Sequence, residues 1–388
     1  MWIDREISSK LLGLSKSAKV ILLTGPRQTG KSSLLKNSFP KVQYISLDKP
    51  STAYRAEHSG EDFLRELPSP VIIDEVQNAP SLFRHIKFFV DQYKNKKFFL
   101  TGSQNFTLMA QVSESLAGRV ALLDLHSLSL LELKNHFNFK LNQKKLIELM
   151  FKGGYPEVWS KNLNIDEFFS NYVSTYIQKD IRQIINVKNL YDFERFMSLL
   201  ASRVAQLLNY NKMASDIGVS SVTIKSWVNA LEASNVLFVL KPFYRNLGKR
   251  LVKSPKVYFT DSGLLCHLIG FRQRDELKDS SLLGSLFENF VLGQILRAAG
   301  NKGKKANLFF YRDQWGHELD FIQPVGEKFH LYECKWNANP NVNLKIFSEI
   351  ESLVGKKNIL SKNIFSSVTE SYSNKNVRVI SLNDEKLI

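Results

Sequence analysis

The sequence predicts an α/β chain of several domains, and three observations carry that prediction. An apolar run, Val20-Ile21-Leu22-Leu23, leads into a glycine-bearing loop and then a helical stretch, Ser33-Leu34-Leu35-Lys36. Apolar strands and helical stretches alternate from residue 18 to 125, as in a parallel sheet covered on both faces. From about Leu128 amphipathic helical segments take over, and a set of β-prone runs follows in the C-terminal part, after residue 306. A chain of 388 residues exceeds what one hydrophobic core usually holds. The expected divisions are residues 1–135, 136–200, 201–262 and 263–388.

The first loop comprises Gly25, Pro26, Arg27, Gln28, Thr29, Gly30, Lys31 and Ser32, followed by Ser33, and matches G-x-x-x-x-G-K-[ST]. Its glycines let backbone N–H groups curl inward, and the following helix adds its N-terminal partial positive charge, so a phosphate chain is the natural occupant. In this motif the lysine, Lys31, reaches the β- and γ-phosphates and the hydroxyl, Ser32, ligates Mg²⁺; the cofactors expected are therefore ATP and Mg²⁺. The motif's partner is Val71-Ile72-Ile73-Asp74-Glu75. A wholly apolar strand buried on both faces delivers its terminal carboxylates at the carboxyl edge of the sheet, where such sheets bind ligands. Asp74 is placed to serve the Mg²⁺ shell, and Glu75 to orient and polarise the attacking water.

The next strand, Lys97 to Ser103, ends in two hydroxyls. Ser103 or Thr101 can bond the γ-phosphate or the water, or these residues simply begin a loop. Arg119, in Leu116-Ala117-Gly118-Arg119, is either a finger reaching a neighbouring subunit of a homo-oligomer or an ordinary salt-bridged arginine.

Lys and Arg outnumber Asp and Glu by 53 to 37, a net charge of +16, which favours a polyanionic partner; nucleic acid is the first candidate and an anionic membrane surface the weaker one. No apolar run approaches the roughly 18 residues that a membrane helix needs, and the first residues lack secretory-signal character, so no membrane partner and a cytoplasmic location are expected. Cys266 and Cys334 stand far apart without nearby histidines, which argues against a disulfide framework or a zinc site of cysteines.

The segment from 136 to 200 reads as a helical lid or linker, with Leu146 to Phe151 and Phe168 to Ile185 as amphipathic stretches and Gly153-Gly154-Tyr155-Pro156 as a tight joint. Met213 to Asn235 reads as a helix-turn-helix, with Gly218 in the turn and Ser220 or Ser221 capping the second helix. Ile224, Trp227, Val228 and Leu231 form its apolar face and leave Lys225 and Asn229 for the other. Val236 to Leu240 and Val257 to Phe259 then form strands, as in a winged helix. Between them stand Lys241, Arg245, Lys249, Arg250, Lys253 and Lys256 without an acid. Lys249, Arg250 and Lys253 would hold DNA phosphates while Lys225 and Asn229 face the major groove.

After a helix from Leu283 to Ala298 come three strand candidates, Asn307 to Arg312, His317 to Gln323 and Phe329 to Trp336, then a helix from Leu344 to Leu353 and strands Ile364 to Ser366 and Val377 to Ser381. Glu318 and Asp320 lie two apart, as do Glu333 and Lys335, so each pair shares a face of its strand. Asp320 and Glu333 can share Mg²⁺ or Mn²⁺, with Lys335 positioning water or stabilising developing charge. This order resembles the PD-(D/E)xK restriction-endonuclease core, although Leu319 replaces the proline before the aspartate. The resemblance implies a further metal ligand in the first helix, Glu288, whose burial calls for a metal or a lysine such as Lys335.

As a set, the motifs above resemble a large family of bacterial and archaeal ATP-binding proteins that join an AAA-type ATPase to a domain of unknown function with an endonuclease-like end. Lys179-Asp180-Ile181, Pro255 to Leu264, Glu318-Leu319-Asp320-Phe321 and Glu333-Cys334-Lys335 continue the likeness over roughly residues 1–340. The resemblance implies an α/β multidomain architecture: a P-loop NTPase sheet, a helical segment, a winged helix and a restriction-endonuclease-like domain. It implies ATP binding and a Mg²⁺-dependent ATPase, with DNA as the expected partner. The alternative is a nucleotide-gated DNA-binding, signalling or assembly protein whose nuclease fold is inactive.

Overall fold

The computed structural model describes residues 1–102, 112, 114–161, 163–177, 190–243, 253–342 and 344–384. Five strands, β1 (Val20–Thr24), β2 (Gln43–Ser46), β3 (Val71–Asp74), β4 (Phe98–Thr101) and β5 (Val120–Asp124), form a wholly parallel sheet in the order β2-β3-β4-β1-β5. The period-2 alternation of β1, β3 and β4 divides their side chains between two cores. Val20, Leu22, Val71, Ile73, Phe98 and Leu100 face the helix Leu82–Gln92. Ile21, Leu23, Ile72 and Phe99 face Leu34 and Leu35 of the helix Lys31–Ser38, with Ile7 and Leu11 beside them. Apolar runs without polar interruption are what a sheet buried on both faces requires.

The helical segment contains Leu130–Phe137, Gln143–Lys152, Pro156–Ser160, Ile165–Tyr172 and Leu190–Ser202. Gly153, at φ 67°, ends the second of these where a β-carbon would lie 2.1 Å from Asp261 Oδ1, so the joint admits only glycine. Helices Tyr210–Ile217 and Ser221–Ala233 follow. Gly218 in the left-handed region ends the first, and the Ser220 hydroxyl caps the second by accepting from Thr223 N–H.

The second sheet has eight strands. β6 (Leu237–Pro242) and β7 (Lys256–Phe259) are antiparallel, and β6 also runs parallel to β8 (Phe309–Arg312). β8, β9 (Glu318–Val325) and β10 (Lys328–Lys335) form an antiparallel meander; after the helix Leu344–Val354 the chain returns as β11 (Ile359–Ser366), parallel to β10. β12 (Tyr372–Asn374) and β13 (Val377–Ser381) complete the order β12-β13-β11-β10-β9-β8-β6-β7. The strand pair after the helix-turn-helix is thus continuous with the C-terminal sheet across residue 262, and the helix Leu283–Asn301 packs against both β7 and β10. No helix among the described residues is long and apolar enough to cross a membrane.

Candidate nucleotide site and C-terminal acidic centre

The loop Gly25 to Ser32 joins the carboxyl end of β1 to the helix Lys31–Ser38. Gly25 adopts φ 140° where a β-carbon would meet the Leu125 carbonyl oxygen at 2.2 Å, and Gly30 adopts φ 90°. The loop is therefore held tight against β5 and turned in a conformation other residues resist. Lys31 is buried and donates from Nζ to the Pro26 and Gly25 carbonyls, at 2.9 and 3.1 Å. Arg5, buried beneath the loop, donates to the Thr29 carbonyl at 2.8 Å and to that of His126 at 2.7 Å, and pairs with Glu132 at 3.0 Å.

β4 lies between the strand that carries the loop and the strand that carries the acids, so its terminal hydroxyl reaches both. Asp74, only 4% exposed, accepts at Oδ1 from Ser32 Oγ at 2.6 Å and from Thr101 Oγ1, and at Oδ2 from Tyr44 OH at 2.6 Å. The Thr101 hydroxyl also accepts from Glu75 N–H at 3.1 Å. Glu75 sits at φ 56° and its carboxylate accepts from Gln77. Burial, reinforced by the charge of Asp74, drives the Tyr44 phenol above its ordinary range, so it stays a donor to that carboxylate. Oxygen ligands around a buried aspartate suit a hard cation, so Ser32 and Asp74 fit Mg²⁺.

Ser103 lies outside the described residues, and Thr101 is the hydroxyl that β4 brings to the acids. Arg119 immediately precedes β5, beside Lys19 at the opening of β1, and pairs with Asp91 at 2.6 Å. A five-residue strand separates it from its own loop by about 16 Å, so it stands at the opposite end of β1 from that loop. Sequence reasoning missed Tyr44 and Arg5: neither belongs to a local motif, Tyr44 meeting Asp74 across the β2–β3 pair and Arg5 meeting Thr29, His126 and Glu132 far along the chain.

Asp320 and the Glu333–Lys335 pair stand on adjacent strands of the C-terminal sheet, and Glu288, on the helix Leu283–Asn301, lies close enough to Asp320 to feel its charge. Lys335 Nζ lies 2.6 Å from Glu333 Oε1, and Asp320 Oδ2 accepts from Cys334 N–H at 2.7 Å. The lysine that meets Glu288 is Lys256 and not Lys335: its Nζ lies 3.1 Å from Glu288 Oε1, pairs with Glu318, and is 1% exposed. The sequence reading counted Lys256 with the solvated basic loop, but β7 turns it inward beside Tyr258, which also donates to Glu288. Burial, joined by the charge of Asp320 and opposed by Lys256 and Tyr258, lifts Glu288 to about 8. Burial and Asp320, opposed by Lys335, lift Glu333 to about 7. Burial also raises Asp320. Burial alone would lower Lys256, but Glu288, Asp320 and Glu318 outweigh it and hold the ammonium above the ordinary lysine range. Glu333 Oε2 is buried without a hydrogen-bond partner, so the residues fit a divalent cation.

On the second helix of the helix-turn-helix, Ile224, Trp227, Val228 and Leu231 are buried, while Val222, Lys225 and Asn229 are exposed on one face. Lys253 is exposed; Lys249 and Arg250 lie outside the described residues, as does Lys179-Asp180-Ile181.

Three family profiles match consecutive parts of the chain. An AAA domain matches residues 17–134. A domain of unknown function, DUF8612, matches 143–275, and a second, DUF4143, matches 283–384. The N-terminal domain is a P-loop domain of the AAA type. Two curated relatives, uncharacterized proteins of Mycobacterium tuberculosis and Mycobacterium bovis, are each 29% identical over 360 residues, 90% of this chain and 77% of theirs. Among solved structures, a Walker-type ATPase of Pyrococcus abyssi is 16% identical over 69% of this chain and 96% of its own, with a TM-score of 0.44. A RuvB of Thermotoga maritima is 15% identical over 61% of this chain and 89% of its own, with a TM-score of 0.30. The AAA match and the P-loop geometry support ATP binding by this chain.

Proposed function

We propose that the chain is a Mg²⁺-dependent ATPase that binds DNA and carries a nuclease-like C-terminal centre. The cluster of Ser32, Asp74 and Thr101 hydroxyl and carboxylate oxygens beside Lys31 carries the ATPase reading. Lys31 would exchange its bonds to the loop carbonyls for bonds to phosphate oxygens, and the N–H groups of the loop would hold the rest of the phosphate chain. Ser32 and Asp74 would hold Mg²⁺, which when bound supplies charge neutralisation for phosphoryl transfer. Glu75 orients and polarises the attacking water, with Thr101 fixing both its backbone and Asp74. Arg119 would act only on a neighbouring copy, in a homo-oligomer.

DNA is the proposed partner because the exposed face of Ser221–Ala233 presents Lys225, Asn229 and Val222 to solvent, and Lys253, in the basic sequence between β6 and β7, is exposed as well, in a chain of net charge +16. In the C-terminal centre Asp320 and Glu333, supported by Glu288, would hold Mg²⁺ or Mn²⁺, and Lys335 supplies fixed positive charge near a scissile phosphate. The raised Glu288 and Glu333 carboxyls mark an excess of negative charge that a cation relieves.

A second reading is favoured by Lys256. Its ammonium already lies against Glu288 and Glu318, where a cation would otherwise sit, as befits a centre that keeps the fold without cleavage, in a nucleotide-gated DNA-binding protein. Incubating wild type and Glu333→Ala with single-stranded, duplex and branched DNA, each with Mg²⁺ or Mn²⁺ and with or without ATP, decides between them. Weak or conditional cutting that Glu333→Ala loses supports the nuclease; no cutting, or equal cutting by Glu333→Ala, leaves the second reading.

A further inference from the structure

The geometry points to a divalent transition-metal site, of the kind Zn²⁺ occupies, at Asp313, His317 and Glu349. It spans the β8–β9 turn and the helix Leu344–Val354, and its three donors are distinct from Glu288, Asp320 and Glu333. Asp313 and His317 stand in the turn between β8 and β9, and Glu349 comes from the helix Leu344–Val354. His317 Nδ1 lies 3.0 Å from Asp313 Oδ2 and 3.3 Å from Glu349 Oε2. One nitrogen and two carboxylate oxygens thus gather within 4.8 Å of one another. Ligands about 2.0–2.1 Å from a tetrahedral Zn²⁺ are about 3.3 Å apart, so these donors need to move little to share an ion.

What separates this triad from a chance meeting of charges is how its carboxylates are held. Asp313 Oδ1 accepts from the backbone N–H of Trp315 and of His317, both at 2.9 Å, which leaves Oδ2 to face the imidazole. Glu349 Oε1 accepts from Tyr311 OH at 2.8 Å, which turns Oε2 the same way. Each carboxylate is therefore oriented through one oxygen and presents the other, the outer-shell arrangement that fixes metal ligands. Asp313 is 2% exposed, whereas His317 and Glu349 border a cavity of about 180 Å³ shared with Glu333 and Lys335, which offers room for a water or a phosphate oxygen as fourth ligand. One nitrogen and two oxygens suit Zn²⁺ better than Mg²⁺, which favours oxygen alone.

One feature opposes the ion. Lys345 Nζ lies 3.3 Å from His317 Nε2, and binding at Nδ1 places the ring proton on Nε2, so this exposed side chain must swing outward. Lys345→Ala should therefore bind metal more tightly than wild type, a gain that misfolding cannot imitate.

The test is calorimetric titration of the full chain with Zn²⁺ in excess Mg²⁺, with Co²⁺ absorption as a second readout. Wild type should take up one Zn²⁺, and its Co²⁺ form should show visible d–d bands without a thiolate charge-transfer band. His317→Gln and Glu349→Gln should each weaken binding at least tenfold, and Tyr311→Phe about tenfold through the loss of orientation. Glu333→Gln should stay within about threefold of wild type if the ion sits on the triad as its ligand geometry requires. The proposal is overturned if wild type and His317→Gln bind alike, if no Zn²⁺ is taken up, or if Glu333→Gln alone abolishes uptake.

Discussion

Replacing Lys256 by Met removes a buried ammonium while keeping most of the side chain's volume. Glu288 and Glu318 lose their common partner, although Glu318 keeps Arg312 at 2.7 Å, and where Glu288 is ionised breaking the buried pair costs about 3–5 kcal/mol. The cost should depend on pH, and its sign follows from Glu288. A carboxyl held at about 8 keeps its proton in the folded chain after the unfolded chain has released it, so wild type loses stability as pH rises and stops losing it near 8. Without the ammonium Glu288 rises further, and the loss continues to pH 9. One further unit is worth about 1.4 kcal/mol, so the penalty should be greater by about that amount at pH 9 than at pH 6. Lys256, held above the ordinary lysine range, keeps its charge across this window. Urea unfolding of the full chain at both pH values, followed by tryptophan fluorescence, measures the difference. Glu288→Gln in the same background should recover part of the loss, because it removes the carboxylate left unpaired. A penalty that is absent, or equal at pH 6 and pH 9, would refute the reasoning.

Other perturbations address the remaining roles. Thr101→Val strips a hydroxyl from both Asp74 and Glu75 N–H, a loss of about 1–3 kcal/mol, and should raise the Mg²⁺ requirement of ATP turnover roughly tenfold or more in a Mg²⁺ titration, while Thr101→Ser keeps it near wild type. Lys253→Glu should weaken binding about equally on two unrelated duplexes and flatten the salt dependence by about one phosphate contact, whereas Asn229→Ala should change the preference between duplexes. An unaltered affinity and salt slope for Lys253→Glu would move the partner away from DNA, and an unaltered preference for Asn229→Ala would show that this helix does not read bases.

What could be read from the sequence follows the range of the interactions involved. The loop from Gly25 to Ser32 and the strand ending in Asp74 are contiguous motifs, and their apolar flanks already require a sheet buried on both faces. The two helices that meet at Gly218 were legible for the same reason: Gly218, Ser220 and the spacing of Ile224, Trp227 and Leu231 all lie within one short stretch. The alternation of Glu318 with Asp320 and of Glu333 with Lys335 placed four polar groups on adjacent strands. Lys256 was not legible, because its inward direction depends on β6 pairing with β7 on one side and β8 on the other. A lysine in a basic stretch reads as solvated until the sheet around it is known. Tyr44 was hidden likewise, since parallel neighbours in a sheet can be far apart in the chain, and Arg5 because its partners Thr29, His126 and Glu132 lie 24 to 127 residues away.

ATP binding and turnover by Lys31→Ala and Glu75→Gln test most directly the pairing of the Lys31 loop with the acids of β3. Glu75→Gln should bind MgATP within about threefold of wild type and lose about 10²-fold or more of its turnover, the loss of a positioned acid-base group. Lys31→Ala should lose nucleotide binding altogether, because it removes the charge that offsets the phosphates. Tight ATP binding by Lys31→Ala, or unchanged turnover by Glu75→Gln, would contradict the account.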